Sequence, residues 1–201
     1  MRRTKEQAAE TGRQILQAAE DLFLEKGYED VTLEEIAALA GVTRGAVHWH
    51  FKNKQGLLLA LRDAAQEPFR ILADELAPNN GAASLKKLGD IIADLFDQME
   101  NDPRQQGLLR GMIRLDIALS EKDEPGGTTF REEINSIFVR IFQAVERDPG
   151  MPPPWTPQKA ASMVSATISG LVIEWALGKG SFNISQDGSL YIRTILASLT
   201  K

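Results

Sequence analysis

The sequence predicts an all-α protein, with a three-helix helix-turn-helix unit over residues 1–53 and a larger helical bundle over residues 54–201, about nine helices in all. Three observations support this fold class. Apolar residues recur at intervals of three and four along most of the chain, and no strand-like alternation emerges. Nine prolines and 16 glycines punctuate these segments, and such residues mark helix ends and loops. Near residue 41, two short capped segments meet at a glycine, as they do in a helix-turn-helix.

The first helix is predicted over residues 4–26. Ile15, Ala19, Leu22 and Phe23 recur on one side of it at helical spacing, so these side chains should face the core. Gly27 follows the last turn and is typical of a helix end.

The next two helices are short and begin at threonines. Thr32 is a favourable N-cap, and Glu35 three residues later completes a capping box. Gly41 ends that helix, because helices commonly terminate in a left-handed residue that glycine adopts at little cost. Thr43 then caps a second helix that runs to about residue 50. Two such helices around a tight turn predict a helix-turn-helix, whose second helix enters the major groove of DNA.

The second of these helices has distinct faces at about 100° per residue. Val47 and Phe51 should point to the core, whereas the far side carries a small residue, an imidazole and an indole, with an arginine on its flank and no acid. An arginine there can pair bidentately with guanine or hold a phosphate. Two lysines follow at the start of the next helix, where backbone charge is expected. The predicted DNA-contacting residues are Thr32, Thr43, Arg44, Gly45, His48, Trp49, Lys52 and Lys54.

Two alternatives bear on this surface. Trp49 could instead be a core residue. His48 and His50 could be metal ligands, but residues two apart on a helix point to different sides, and no cysteine or nearby carboxylate completes a zinc site. No metal is therefore expected.

The run Val42-Thr43-Arg44-Gly45-Ala46-Val47-His48-Trp49-His50-Phe51-Lys52-Asn53-Lys54 resembles the tetracycline-repressor (TetR) family of transcriptional regulators. It is most similar to the multidrug-efflux repressors of the AcrR type. The arm Arg3-Thr4-Lys5-Glu6 and the segment Ile15-Leu16-Gln17-Ala18-Ala19 match the same group. The resemblance is close over about the first quarter of the chain and extends to the remainder only in layout. This chain departs from the family pattern at His48, where tyrosine is usual, and at Gly12, where arginine is common.

Composition fits a regulator of this kind. The chain contains no cysteine, so neither a disulfide framework nor a thiol sensor is expected. No apolar run approaches the roughly 18 residues of a membrane span, and the N-terminus is charged. We therefore expect a cytoplasmic protein that does not enter the membrane.

The net charge of −5 argues against nucleic acid by itself, but the charges are unevenly distributed. Residues 43–54 contain three cations and no acid, and residues 1–5 add three more cations. A local basic face in an acidic protein can still bind DNA. The acids of the first three helices are expected to face away from the duplex: Glu20, Asp21, Glu25, Glu29, Asp30, Glu34 and Glu35.

Helices punctuated by proline and glycine continue to the end of the chain. They are predicted over residues 53–76, through a kink at Pro68; from a cap at Ser84 to Met99; from Asp102-Pro103 to Ile117; over residues 130–145; from Thr156-Pro157 to about residue 177; and from a cap at Ser185 to about residue 199. Loops are predicted at residues 78–81 and 122–127, and a proline-rich connector at residues 148–155.

The family resemblance implies that this bundle binds a small ligand and dimerises through its last two helices. Aromatic and methionine side chains suit an adaptable apolar cavity, although ordinary core packing explains each of them equally well. The predicted ligand-binding residues are Phe96, Met99, Met112, Ile113, Phe138, Phe142, Ile168 and Leu171. The predicted dimer-interface residues are Gly170, Trp175, Tyr191 and Ile195. Arg114 and Asp116 are either surface charges or groups that orient a ligand.

No catalytic constellation emerges, since both histidines lie in the helix-turn-helix and no phosphate-binding loop follows a strand. We expect neither an enzyme nor a cofactor. The residues and the resemblance together predict a dimeric repressor that binds a near-palindromic operator, responds to a small apolar or amphipathic effector, and controls a multidrug efflux pump. Two alternatives stay open at this point: a TetR-type regulator of metabolic genes with a narrow ligand, and a helical dimerisation module without DNA binding.

Overall fold

A computed structural model describes residues 5–75, 81–120, 130–148, 150–178 and 182–199. Over these ranges the chain forms nine α-helices, a short π-helical segment and no strand, so the predicted all-α fold is confirmed. The helices are α1 (Lys5–Lys26), α2 (Leu33–Leu39), α3 (Arg44–Phe51), α4 (Lys54–Glu75), α5 (Gly81–Asn101), α6 (Gln105–Ser120), α7 (Phe130–Arg147), α8 (Pro157–Ala176) and α9 (Ser189–Ala197). The π-helical segment, Ile184–Gly188, runs directly into α9.

Contacts divide the chain into two compact units. The first comprises the described residues up to Ala65 together with Gly107–Arg114 of α6. The second comprises the described residues of Gln66–Gln106 and of Leu115–Lys201. The boundary predicted between residues 53 and 54 divides the chain by function and remains a prediction.

The first unit is built on α1, which packs against both α2 and α3. All four residues of α1 that were predicted to face inward are buried, which confirms the helical face assigned from their spacing: Ile15, Ala19, Leu22 and Phe23. Ile36 of α2 and Val47 of α3 complete this core and are almost fully buried. The two short helices are therefore held by their apolar sides, and their polar sides remain available to solvent.

The second unit has its most extensive packing between α7 and α8, while α5 packs against α7, α9 and the π-helical segment. Three phenylalanines at its centre are fully buried: Phe96, Phe138 and Phe142. Gly188 lies directly against one of them, since a Cβ atom added there would lie 3.1 Å from the Phe96 ring.

Three predicted helix starts are wrong. Helix α5 begins at Gly81, so Ser84 is a buried residue inside the helix and not its cap; the alanine before it has high helix propensity and extends the helix. Helix α6 begins at Gln105 because the Asp102 carboxylate accepts hydrogen bonds from the backbone N–H and the Nε of Arg104, which form a local turn.

The last cap is Asn183 and not Ser185. The Asn183 side chain accepts a hydrogen bond from the Gln186 N–H at 2.7 Å, and the Asp187 carboxylate accepts one from the Asn183 N–H at 2.9 Å. The Ser185 hydroxyl instead donates to Asp97 of α5.

The remaining boundaries of the bundle agree with the predictions to within three residues. Helix α4 continues through Pro68, and α8 begins at Pro157 behind the N-cap Thr156. The loop predicted at residues 122–127, and residues 78–80 of the other predicted loop, lie outside the described residues. Gly81 was predicted to end that other loop and is instead the first residue of α5. None of the helices in the described ranges is long and apolar enough to cross a membrane.

Candidate DNA-binding surface

The first turn of α2 is closed by the predicted capping box. The Thr32 hydroxyl accepts from the Glu35 N–H, and the Glu35 carboxylate accepts from the Thr32 N–H at 2.8 Å. Lys26 of α1 donates to the other carboxylate oxygen at 2.8 Å. The hydrogen bond from Lys26, followed by those from the Thr32 backbone and hydroxyl, lowers the pKa of Glu35 from 4.5 to about 2. The start of α2 is therefore fixed both within the helix and from α1.

The turn between α2 and α3 is set by Gly41, whose φ of 65° lies in the left-handed region. The N–H of Gly41 donates to the carbonyl of Ala38, and that of Val42 donates to the carbonyl of Ala37 at 3.0 Å. This pair of bonds is a Schellman motif, which satisfies the last carbonyls of a helix. The Thr43 hydroxyl then accepts from the Ala46 N–H and starts α3, as predicted.

Helix α3 presents the predicted outer face to solvent. Val47 is 1 % exposed and anchors the inner side, whereas Trp49 is 72 % exposed. Arg44, Gly45 and His48 are also exposed. The alternative assignment of Trp49 to the core is thus wrong, because most of its indole surface is exposed to solvent.

One acid on α2 does not lie where it was predicted to lie. Glu34, in the first turn of α2, was expected to face away from the duplex, but it forms an ion pair with Arg44, with 3.0 Å between Oε1 and Nε. Both side chains are more than half exposed. The turn brings the first residues of α2 and α3 together, a proximity that helical periodicity within either helix does not encode.

Helix α3 ends in a tight, left-handed turn at Lys52, which has φ 64° and ψ −54°. The N–H of Asn53 donates to the carbonyl of Phe51 at 2.7 Å, which makes the three residues a γ-turn of the rare positive-φ kind. The imidazole Nδ1 of His48 lies 2.5 Å from the Lys52 carbonyl and donates to it. The residue that replaces the family tyrosine therefore braces the end of α3 and still exposes the other edge of its ring.

Helix α4 starts against this turn. Asn53 caps it by accepting from the Gly56 N–H at 2.8 Å. A Cβ atom added to Gly56 would lie 2.0 Å from the carbonyl oxygen of Phe51, so only glycine allows this approach. Lys54 reaches back to the loop before α2 and donates to the carbonyls of Glu29 and Val31 at 2.9 and 3.1 Å. No feature of the sequence pattern indicated either contact.

The second departure from the family pattern, Gly12, also has a structural setting. A Cβ atom added there would lie 3.3 Å from Nδ1 of His50, which is half-buried on α3. The ring of His50 packs edge-on against Trp49, with 4.5 Å between the ring centroids. Because Gly12 has no side chain, the ring of His50 can pack against α1, and there it supports the exposed indole of Trp49.

The residues predicted to bind a ligand are divided between the two units. Phe96, Met99, Phe138 and Phe142 are 1 % exposed or less and lie in the second unit, where Phe138 stacks edge-on with Phe69. The predicted ligand-binding residues Ile168 and Leu171 lie on α8 in the same unit and are half-buried. Met112 and Ile113 are half-buried and belong to the first unit, as does Arg114, which pairs with Glu29 at 3.6 Å.

The residues predicted to form the dimer interface differ in exposure. Gly170 is exposed and has nothing within 4 Å of an added Cβ atom. Tyr191 is 45 % exposed and Ile195 is half-buried, but Trp175 retains only 9 % of its surface within the chain. Three further apolar residues of the same region are exposed and were not predicted: Ile173, Leu177 and Leu190.

Comparisons with known proteins agree with this geometry. Residues 15–61 match the family model described as bacterial regulatory proteins, tetR family. The HTH-type transcriptional repressor BepR of Brucella suis biovar 1 (strain 1330) is 31% identical to this chain over 99% of it and 96% of the relative.

Solved structures match over almost the whole chain as well. SmeT, the repressor of the Stenotrophomonas maltophilia multidrug efflux pump SmeDEF, matches with a TM-score of 0.69 and 27% identity, over 94% of this chain and 90% of SmeT. A complex of SmeT with triclosan matches with a TM-score of 0.67 and 25% identity, over 95% and 92% of the two chains.

Proposed function

The chain belongs to the TetR family of bacterial regulatory proteins, and from that membership we propose that it represses transcription by placing α3 in the major groove of an operator. The observation that carries this proposal is the outer face of α3, where Arg44, Gly45, His48 and Trp49 are all exposed. The Thr43 cap uses the Ala46 N–H, and the N–H groups of Arg44 and Gly45 lie at the start of α3 beside this face, where a phosphate can accept from them.

The residues of this face have separate roles in the proposal. Gly45 allows the helix to approach base edges closely, because its Cα carries no side chain. Arg44 offers the planar donor group that pairs with the O6 and N7 atoms of guanine. Lys52, exposed at the end of α3, meets the phosphate backbone. A two-fold dimer would place two such helices in successive major grooves, about 34–36 Å apart, on a near-palindromic operator.

Operator binding by variants tests this assignment. A pool of duplexes with a randomised central segment is first used to select the preferred sequence. Arg44→Ala should then weaken binding to that sequence by about 1–3 kcal/mol and leave the fold intact. Lys52→Ala should weaken binding to all sequences alike and lower the salt slope by about one unit. Unchanged binding in both variants would remove α3 from the proposed interface.

We further propose that a small apolar or amphipathic effector controls DNA binding, and that the regulated gene encodes a multidrug efflux pump. SmeT, which represses such a pump, supports this choice over a metabolic regulator. In the second unit the effector would contact Phe96, Met99, Phe138 and Phe142, whose apolar and adaptable side chains suit a ligand of this class. Because a bacterial repressor meets its operator in the cytoplasm, we expect the protein to act there.

Triclosan, which binds SmeT, is the first probe for the effector site. It should release operator DNA and, by reciprocity, bind more weakly when the operator is present. Ile168→Trp should suppress the response while repression persists; overpacking costs about 1–3 kcal/mol, so thermal melting is measured in parallel. If triclosan binds and the two ligands prove independent in a joint titration, the regulator mechanism fails.

A further inference from the structure

The ion pair between Glu34 and Arg44 places a carboxylate on the face that is proposed to meet DNA. Glu34 lies in the first turn of α2, and Arg44 is the first residue of α3. Their closest atoms, Oε1 and Nε, are 3.0 Å apart, and the side chains are 60% and 69% exposed. Glu35 beside it is committed to the capping box and Lys26, whereas Glu34 has no role in the cap.

The ion pair leaves the donors of Arg44 available. A guanidinium carries five N–H groups in a planar fork, and within the described residues no group accepts a hydrogen bond from this one. The carboxylate approaches at the Nε side of the fork, so the two terminal nitrogens are not the atoms in closest contact. The ion pair with Glu34 therefore positions the Arg44 side chain, while the N–H groups on its two terminal nitrogens remain available to another acceptor.

A guanidinium that is paired with a carboxylate interacts differently with the two kinds of acceptor on DNA, the charged phosphates and the neutral edges of the bases. Its attraction to a phosphate is largely Coulombic and is weakened when a carboxylate lies beside it. Its bidentate hydrogen bonds to the neutral edge of guanine depend on geometry and lose much less. Glu34 also repels the phosphates themselves, and this repulsion weakens binding to every sequence alike.

We propose that Glu34 is a specificity-determining residue, which directs Arg44 to a guanine and suppresses its use as a phosphate contact. This inference rests on the proposed function, since it assumes that α3 reads DNA. Specificity is a difference between affinities, and a device that opposes the wrong contact contributes to it as much as one that favours the right contact. Glu34 acts through Arg44 and is therefore a positioning residue.

The test compares the wild type, Glu34→Gln, Arg44→Ala and the double variant by selection from a randomised duplex pool, followed by titration of the selected sequence and its single-base variants. Glu34→Gln keeps the size and polarity of the side chain but removes its charge. It should raise affinity for unselected DNA several-fold and lower the preference for guanine at the Arg44-dependent position roughly three- to tenfold, part of the about 5- to 150-fold that a bidentate pair can contribute. In the Arg44→Ala background it should change no base preference.

Glu25→Gln is the matched control, because it removes an exposed carboxylate of α1 with the same change in net charge and should alter no base preference. Glu34→Ala serves as a second variant, and thermal melting verifies that each protein is folded. The inference is overturned if Glu34→Gln leaves the Arg44-dependent preference unchanged, or shifts preferences at other positions only. If the wild type enriches no sequence, both the proposed function and this inference fail. If the wild type enriches a sequence but the Glu34 variants have the same base preferences as the wild type, only the inference fails.

Discussion

The ammonium of Lys54 lies 4.6 Å from the centroid of the Tyr28 ring, and it donates to two backbone carbonyls of the loop that carries this tyrosine. The first residue of α4 thereby joins the segment between α1 and α2. A lysine ammonium has three donors, and two of them are used within the protein. Lys54 was predicted to contact phosphate, but this arrangement favours a structural role.

Replacing Lys54 with methionine should therefore reduce stability more than it changes DNA binding. The variant keeps an apolar stem and loses two charge-assisted hydrogen bonds, so the free energy of unfolding in urea should fall by about 1–3 kcal/mol. Lys52→Met is the control, because Lys52 is exposed and should change stability by less than about 0.5 kcal/mol. Wild-type stability in Lys54→Met would contradict the structural role.

The capping box predicts a specific dependence of stability on pH. The folded pKa of Glu35 is about 2, against 4.5 ordinarily, so its ionised form stabilises the fold above about pH 4.5, and this contribution disappears as the pH falls towards about 2. Glu35→Gln keeps a side chain that can complete a capping box but lacks the charge that binds Lys26. Its melting temperature should lie below that of the wild type at about pH 6, and the difference should vanish near pH 2.

Glu174→Gln supplies the control for this measurement, since it removes an exposed acid of α8, outside the first unit that contains the box. Parallel profiles of the wild type and Glu35→Gln over the whole range would refute the assignment of the low pKa to a stabilising interaction.

The approach of α4 to the end of α3 predicts that Gly56 tolerates no side chain. In Gly56→Ala the new methyl group would lie 2.0 Å from the Phe51 carbonyl oxygen, and the backbone must shift to relieve the clash. Overpacking costs about 1–3 kcal/mol, occasionally more, and we expect the upper part of that range in chemical denaturation. Gly107→Ala is the control, because an added Cβ atom there meets nothing within 4 Å. In a helix, alanine in place of glycine should raise the free energy of unfolding by about 0.5–1 kcal/mol. Equal stabilities of the two variants would contradict the close approach.

Gly170 offers a test of the proposed dimer. It lies on the exposed side of α8 with open space around it, so Gly170→Leu should leave the isolated chain folded. If α8 packs closely against the partner, the added side chain should weaken dimerisation roughly tenfold, because overpacking costs about 1–3 kcal/mol. Sedimentation at several protein concentrations measures this effect. Gly107→Leu, in the first unit, should leave the dimer intact. A dimer that is equally tight in both variants would exclude a close contact at Gly170.

Local chemistry explains why much of the DNA-binding unit followed from the sequence. The capping box of Thr32 and Glu35, the left-handed Gly41 and the cap at Thr43 depend on residues three to five positions apart, and any chain with that spacing meets the same backbone geometry. The buried face of α1 followed from periodicity for the same reason. Where local hydrogen bonding competed, as at Asp102 and Asn183, the predicted helix starts failed.

Contacts between elements had to come from the tertiary structure. Two such contacts join residues on different helices: the ion pair of Glu34 with Arg44 and the packing of Gly12 against His50. The spacing of apolar residues along one helix does not indicate which residue of another helix it will contact. The role of Lys54 also depends on a contact between elements. Its charge predicted a contact with a DNA phosphate, whereas in the folded chain its ammonium donates to the Glu29 carbonyl.

The sequence by itself determined the helical class, the helix-turn-helix and the exposed face of α3, because these depend on backbone conformation and on the spacing of apolar residues along one helix. Only the tertiary structure decided how charges pair across the turn and which apolar residues remain exposed on α8 and α9. A buried phenylalanine such as Phe96 has the same helical spacing whether it fills a core or lines a cavity. Side-chain packing between helices distinguishes these cases, and that packing depends on residues far apart in the chain.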